Sequence, residues 1–340
     1  METALKIPDA NVSYAITAEF SSETNRIHFY AFSVEAGHLL NFQLAVPAIS
    51  NLERFAPVVL LIGPGLPLPD SLTTLLLNQF DVDLPSGSGA TSYFYNGTDN
   101  EKEFEPFTQV NLWIRQEAEV TLPSQGVYYL AVAVPEGWSQ DATSGFGKYV
   151  LAPGVLEEFS ILDYMAIPLD WIKWHTFWED SVVLLMAPTF VVVIASTFAT
   201  WFHAEKRRAD TFKGRPNGMK PVFYFGVVGA TMMIGSAVNQ LILVFGYSVS
   251  SFEPASFIVV MLQSIGLFLG VLALRMMLGV MKLRSARSMM LAIGSLTVVT
   301  FGVLMVGAGW MIGPMLFVLG YLAGLVLTYR LGLNGVASGT

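Results

Sequence analysis

The feature that most constrains this chain is a series of long apolar runs confined to its C-terminal half. A membrane-crossing helix needs about 20 predominantly apolar residues, and five such segments fit between residues 181 and 330. They are predicted at Ser181–Phe202, Pro221–Phe245, Ala255–Val280, Ser288–Val306 and Met311–Tyr329. Residues 1–180 have the mixed composition of a soluble sequence. The chain is therefore predicted to be an integral membrane protein built from two modules.

The composition agrees with this division into two modules and limits the kinds of chemical site that the chain can contain. Only 13% of the 340 residues are charged, against about 25% in ordinary soluble domains. The chain contains no cysteine, which excludes disulfides, thiolate metal sites and a cysteine nucleophile. No histidine lies in a predicted span, so we expect no haem and no other cofactor. The net charge of −8 argues against a nucleic-acid partner.

Basic residues predict how the chain is oriented. They cluster in two of the loops between spans and after the last span, at Lys206, Arg207, Arg208, Lys213, Arg215, Lys220, Lys282, Arg284, Arg287 and Arg330. Loops rich in Lys and Arg stay in the cytoplasm. We therefore expect a multi-pass protein of the cell membrane, with its N-terminal domain outside and its C-terminus in the cytoplasm. The first ten residues lack the basic and apolar regions of a signal peptide, so we expect a processed or redefined start. The alternative is a cytoplasmic domain, in which case the loop charges mislead.

Four regions are predicted along the chain. They are an extracytoplasmic β-sandwich at 1–160, an interfacial helix at 161–180, five spans at 181–330, and a cytoplasmic tail at 331–340. The interfacial helix carries Trp171, Trp174 and Trp178 on one predicted face. Aromatic rings with a polar edge favour the headgroup zone, so these residues are interpreted as a membrane anchor. The alternative is an aromatic stripe that docks a partner.

Polar and small residues inside the spans are the next candidates. Asn239 and Gln240 in the second span lie at about the same predicted depth as Gln263 in the third. A hydrogen bond between these amides would stabilise the helix pair, whereas the alternative is a polar site for a ligand or permeating solute. Glycines at four-residue spacing favour close helix packing, either within the bundle or against another membrane protein: Gly266 with Gly270, Gly309 with Gly313, and Gly320 with Gly324.

The external half shows short apolar segments separated by turn residues. Strands are predicted at 26–32, 38–46, 57–62, 110–115, 118–122, 127–134 and 148–151. Short strands at this spacing, without a long amphipathic helix, favour an all-β antiparallel sandwich. The stretch from Gly65 to Glu105 is polar and irregular, and we expect it to form long surface excursions.

Three of these strands carry motifs that resemble a known domain family. Gly37–Leu44 resembles a "G-x-x-L-x-F" strand, Gly126–Val132 a "G-x-Y-Y-L-x-V" strand, and Gly147–Leu151 a closing "G-x-Y-x-L" strand. Together they are similar to the bacterial pre-peptidase C-terminal domain, over about residues 10–160. The resemblance implies a β-sandwich that serves as an accessory binding or stabilising module rather than a catalytic one. It does not extend to the spans.

Short sequence patterns suggest two further kinds of surface site, for glycosylation and for calcium. Asn11 and Asn96 each begin an N-glycosylation triplet in a predicted surface segment. Asp99, Glu101 and Glu103 belong to an acidic cluster whose oxygens suit calcium. Their spacing matches no defined calcium loop, and a solvated acidic loop is the simpler interpretation.

We therefore expect a non-catalytic membrane protein that presents its sandwich for binding or assembly. It would bind a protein or glycan outside the cell, or serve as an accessory subunit of a larger membrane complex. Neither a G-x-S-x-G nor an H-E-x-x-H motif occurs. The expected partners are the lipid bilayer and other membrane proteins or further copies of the chain. The alternative is a small transporter or channel component that uses Asn239, Gln240 and Gln263.

Overall fold

The computed structural model describes two compact units. Residues 1–105 with 110–160 form the first, and residues 106–109 with 161–340 form the second. Within them the structure describes residues 3–20, 26–95, 97, 102–105, 108–135, 147–156, 158, 170–206, 219–247, 254–280 and 294–295. The first unit is built from β-strands and the second from helices.

The first unit is a sandwich of two five-stranded sheets. Its strands are β1 (Leu5–Lys6), β2 (Ile16–Phe20), β3 (Ile27–Val34), β4 (Leu39–Pro47), β5 (Val58–Pro64), β6 (Ser88–Tyr93), β7 (Lys102–Glu105), β8 (Val110–Thr121), β9 (Gly126–Ala133) and β10 (Gly147–Pro153). One sheet has the order β1-β3-β9-β5-β6 and the other β2-β10-β4-β8-β7. All pairings are antiparallel except that of β1 with β3. The predicted sandwich is therefore present.

One sheet is covered on both faces. Its inner face joins the main core, where Phe42, Tyr128 and Tyr149 are buried. Its outer face carries a second cluster, which includes Leu76 and Leu77 of helix α1 (Ser71–Gln79). Strand β5 lies between β9 and β6 in this sheet. Its first six residues are all buried because both faces lie against apolar side chains.

The expectation of an irregular segment from Gly65 to Glu105 is wrong. This stretch contains α1, β6 and β7. Asp70 caps α1, because its carboxylate accepts a 2.7 Å hydrogen bond from the backbone N–H of Thr73. The helix is only nine residues long, which is too short for a clear apolar periodicity.

Strand β8 contains an irregularity that positions two polar side chains. Leu44 pairs with Gln116 and Ala45 with Ile114, so Arg115 is an extra residue in β8. A bulge of this kind breaks the alternation of inward and outward side chains. As a result Arg115 and Gln116 are both buried, although they are neighbours in one strand.

Among its described residues, the second unit contains three helices long and apolar enough to cross a membrane, judged by length and composition. Helix α2 comprises residues 170–177, followed by α3 (Val182–Lys206), α4 (Met219–Tyr247) and α5 (Pro254–Val280). The apolar windows are Val182–Phe202, Gly226–Gly246 and Ser256–Gly279, which overlap the first three predicted spans. The fourth and fifth predicted spans and the 331–340 tail lie outside the described residues, apart from 294–295.

Glycines allow close approach between these helices. A Cβ on Gly235 of α4 would lie 2.9 Å from the Thr189 carbonyl oxygen of α3, and one on Gly270 of α5 would lie 2.8 Å from Ile234 Cγ1 of α4. Gly270 therefore lies close against α4, and Gly266 is buried. Gly309, Gly313, Gly320 and Gly324 lie outside the described residues.

Candidate functional site

A layer of buried polar side chains in the helical unit is the strongest candidate site. Ser236, Asn239 and Gln240 of α4 and Gln263 of α5 are all almost completely buried. Ser236 and Gln240 are four residues apart, which places them on the same face of α4. Their positions lie inside the apolar windows of the two helices.

The packing of α4 against α5 brings these residues to one level. Gly226 faces Met277, and Ile234 faces Gly270, so the two helices run antiparallel with a defined offset. From Ile234 to Gln240 is six residues along α4, and from Gly270 back to Gln263 is seven along α5. At a rise of about 1.5 Å per residue, the two glutamines lie at the same height along the pair.

The predicted hydrogen bond between the amides is not formed by Gln240. Neither the Oε1 nor the Nε2 atom of Gln240 has a hydrogen-bond partner, and the same holds for Gln263 Oε1 and Ser236 Oγ within the described part of the chain. Asn239 makes an interaction of its own. Each buried polar group left without a partner costs about 1–3 kcal/mol. These unpaired polar atoms therefore lower the stability of the helical unit.

The tryptophan helix packs against the other helices of its unit. Trp171 and Trp178 are buried at 2% and 7% exposure, and Trp171 packs against Met186 of α3 and Leu243 of α4. The role of the three tryptophans as a membrane anchor stays a prediction. Trp174 is half-buried and its ring centroid lies 5.0 Å from that of Trp178.

Sequence reasoning missed the buried histidine of this helix. His175 lies one turn after Trp171, with ring centroids 4.1 Å apart. Its Nδ1 lies 2.7 Å from Asp180 Oδ2, and its Nε2 lies 3.1 Å from the Thr108 carbonyl oxygen. A carbonyl oxygen only accepts hydrogen bonds, so Nε2 carries a proton and donates a hydrogen bond to the Thr108 carbonyl. Within the second unit, His175 therefore joins α2 to the 106–109 segment.

The sandwich contains a polar network between its sheets. The Tyr149 hydroxyl of β10 lies 2.6 Å from His28 Nδ1 and 2.7 Å from the Tyr30 hydroxyl, both on β3. His28 also stacks on Phe20, with ring centroids 4.4 Å apart. Burial lowers the pKa of His28 and raises the pKa of Tyr149 and of Tyr30. All three groups are therefore held neutral near pH 7, as hydrogen-bonding residues of the core.

This network predicts that acid destabilises the sandwich. The unfolded chain binds a proton at His28 near the ordinary pKa of 6.5, whereas the folded chain does so only at lower pH. The contribution of neutral His28 to the free energy of unfolding is therefore fully present above about pH 6.5. It is lost as the pH falls through the lowered pKa of the folded state. Hydrogen exchange of β3 and β10 at pH 7.5 and 5.5, corrected for intrinsic rates, measures this loss.

The substitution His28→Asn retains a hydrogen-bonding group but removes the titration. We expect it to weaken the pH dependence between 7.5 and 5.5. An unchanged dependence in this variant would show that other groups are responsible.

A second polar cluster in the sandwich surrounds the guanidinium of Arg115. Its Nε donates to the Phe55 carbonyl at 2.9 Å, and its Nη2 donates to the carbonyls of Leu52 at 3.3 Å and Glu53 at 2.5 Å. The guanidinium also lies over the Tyr95 ring, 4.7 Å from the centroid. Burial lowers the pKa of Arg115, and its interaction with Tyr95 opposes that change.

The remaining predicted sites stay as predictions. Glu103 is exposed on β7, whereas Asp99 and Glu101 lie outside the described residues. No group of three potential metal ligands occurs among the residues described. Asn11 is exposed, and its Nδ2 donates to Asp9 Oδ1 at 2.9 Å. Asn96 lies outside the described residues.

Among the comparisons with known proteins, only the one with solved structures finds similar proteins. No protein-family model matches the chain, and no curated protein matches it. Among solved structures, the chain is similar to the pre-peptidase C-terminal domain of collagenase from Bacillus anthracis, at 13% identity and a TM-score of 0.23, over 44% of this chain and 93% of that one.

Two further similar structures are periplasmic inhibitors of g-type lysozyme. PliG of Aeromonas hydrophila is 13% identical over 45% of this chain and 97% of its own length, with a TM-score of 0.23. PliG of Salmonella Typhimurium is 14% identical over 45% of this chain and all of its own, with the same TM-score. Each alignment covers less than half of this chain.

Proposed function

We propose that this chain is a non-catalytic, multi-pass membrane protein that displays its β-sandwich outside the cytoplasm, where it binds or assembles with other proteins. The observation that carries the proposal is that buried polar side chains of the sandwich form hydrogen bonds with the protein itself. Arg115 and Gln116 bond backbone carbonyls, and His28, Tyr30 and Tyr149 bond one another. These hydrogen bonds stabilise the core of the sandwich. A catalytic group would instead have to face a bound substrate, so this arrangement supports a non-catalytic role.

The helices support the membrane part of the proposal. Three of them have apolar windows of 21–24 residues, which match the thickness of a bilayer. Large apolar side chains of α3 such as Val183, Val191 and Ile194 are more than half exposed, and lipid or another helix would cover them. The basic loops identified in the sequence favour a cytoplasmic location for the 207–218 connection, and hence an external sandwich.

Single introduced thiols test the display, because the native chain has no cysteine. Leu68 of the sandwich is 87% exposed, and Thr211 lies in the basic loop of the sequence. In intact cells a membrane-impermeant maleimide is expected to label the Leu68→Cys variant and to spare Thr211→Cys until the membrane is opened. Labelling of Thr211→Cys alone in intact cells would reverse the proposed orientation.

Assembly is tested on the same protein. Cross-linking of intact cells with an impermeant amine reagent, followed by extraction in mild detergent, is expected to give a particle larger than the 37.1 kDa chain with its detergent. A particle that contains one chain alone would contradict the assembly part of the proposal while leaving the display result intact.

A further inference from the structure

The polar layer of the helical unit contains buried atoms that the described residues leave without hydrogen bonds. Gln240 is 0% exposed, yet both polar atoms of its amide have no hydrogen-bond partner among the described residues. Gln263 Oε1 and Ser236 Oγ share this condition. A leucine at position 240 would avoid the penalty entirely. Buried polar groups in native proteins are almost always satisfied by protein, water or ligand, so an occupant of the layer accounts for them.

The chemistry of the layer defines that occupant. Gln240 Nε2 and the Ser236 hydroxyl are donors, whereas Gln240 Oε1 and Gln263 Oε1 are acceptors. Gln240 and Gln263 come from neighbouring helices at the same height, and Ser236 lies one helical turn from Gln240 on α4. A small molecule beside these side chains would meet both kinds of group. A bound water needs two to four polar partners, and this layer provides that number.

The layer has no formal charge to hold an ion. In α5 the nearest charged residue, Arg275, is twelve residues from Gln263, about 18 Å along the helix. In α4 the nearest is Lys220, twenty residues from Gln240. The carboxylate of Asp180, which precedes α3, is bonded by His175. The occupant is therefore expected to be uncharged.

We propose that Ser236, Gln240 and Gln263 form an intramembrane binding site for a small uncharged molecule that both donates and accepts hydrogen bonds. Two sources share this chemistry: water, and a small polyol or amide solute. The inference goes beyond the proposed display function, and it stands or falls independently of the orientation of the sandwich.

Thiol accessibility in the full-length, membrane-embedded protein tests the site. The variants are Gln240→Cys and Gln263→Cys, and the matched control is Ala237→Cys, which replaces a fully buried apolar residue of the same helix. The probe is methyl methanethiosulfonate, which is small and uncharged and reacts with the thiolate form. Thiols ionise where water or a polar guest reaches them. We expect reaction at positions 240 and 263 to be at least tenfold faster than at 237.

The outcomes separate the alternatives. Equally slow reaction at all three positions would mean a dry layer and would overturn the proposal. Fast reaction at 240 and 263 that is slowed by glycerol, but not by sucrose of equal osmolality, assigns the site to a small organic solute. Fast reaction that glycerol leaves unchanged assigns it to water.

A stability measurement covers the case in which a cysteine variant does not fold. If the amide of Gln240 is unsatisfied, Gln240→Leu raises the unfolding temperature of the full chain. If a guest satisfies it, Gln240→Leu gives no increase. The control is Ser264→Leu, since Ser264 is exposed on α5 beside Gln263 and bonds its own helix at Val260. An increase for Gln240→Leu that is absent in the control contradicts the proposal.

Discussion

Replacement of Arg115 by methionine is expected to lower the free energy of unfolding of the sandwich by about 3 kcal/mol. Methionine has a similar length but no donor, so the carbonyls of Leu52, Glu53 and Phe55 would lose the hydrogen bonds they accept. A buried group left unsatisfied costs about 1–3 kcal/mol. Arg115 itself is only 4% exposed, so water would not readily replace it.

Hydrogen exchange of β4 and β8 in the full-length protein measures this loss. The control is Lys102→Met, because Lys102 is an exposed cation on the adjacent strand β7. It is expected to change the free energy by less than about 0.5 kcal/mol. Equal effects of the two substitutions would mean that the carbonyl contacts of Arg115 do not stabilise the sandwich.

The substitution Gly235→Val is expected to break the packing of α3 against α4. A Cβ at this position would lie 2.9 Å from the Thr189 carbonyl oxygen and 3.2 Å from its Cα, and backbone atoms cannot move aside as a flexible side chain does. The same substitution would disturb the 3.3 Å hydrogen bond from Thr189 Oγ1 to the Gly235 carbonyl. We expect a loss of several kcal/mol, comparable with severe overpacking.

Gly246→Val is the matched control on the same helix. No atom lies within 4 Å of a Cβ built on Gly246, and the residue is exposed. Titration with a denaturing detergent, followed by tryptophan fluorescence, should show early unfolding of Gly235→Val and near-native behaviour of Gly246→Val. Similar midpoints for the two variants would show that α3 and α4 do not depend on this contact.

The predicted strands that the structure confirms share one property. Segments such as 26–32 and 127–134 combine β-branched or aromatic residues with flanking turn residues, and the structure places β3 and β9 there. Local composition is sufficient in these cases because each strand has its own period and boundaries. Helix α1, by contrast, is short and depends on the sheet beneath Leu76 and Leu77 for its stability.

The tryptophan helix illustrates a limit of the same reasoning. Spacing placed Trp171, Trp174 and Trp178 near one face, but it could not say whether that face meets lipid or protein. In the structure the buried residues are Trp171, His175 and Trp178, since α3 and α4 supply the apolar surface that covers Trp171. The burial of His175 could not be read from its neighbours in the sequence, because its hydrogen-bond partners Asp180 and Thr108 lie outside α2.

The sequence by itself determined the two modules, the apolar spans and most of the strands, because these follow from composition and from local periodicity. The tertiary structure alone decided three features. A bulge turns Arg115 inward, Gly235 and Gly270 let helices meet, and the Gln240 amide is enclosed with no hydrogen-bond partner among the described residues. The physical reason is that burial and hydrogen-bond satisfaction depend on residues far apart in the chain. Arg115 and Phe55, sixty residues apart, meet only in the folded sandwich.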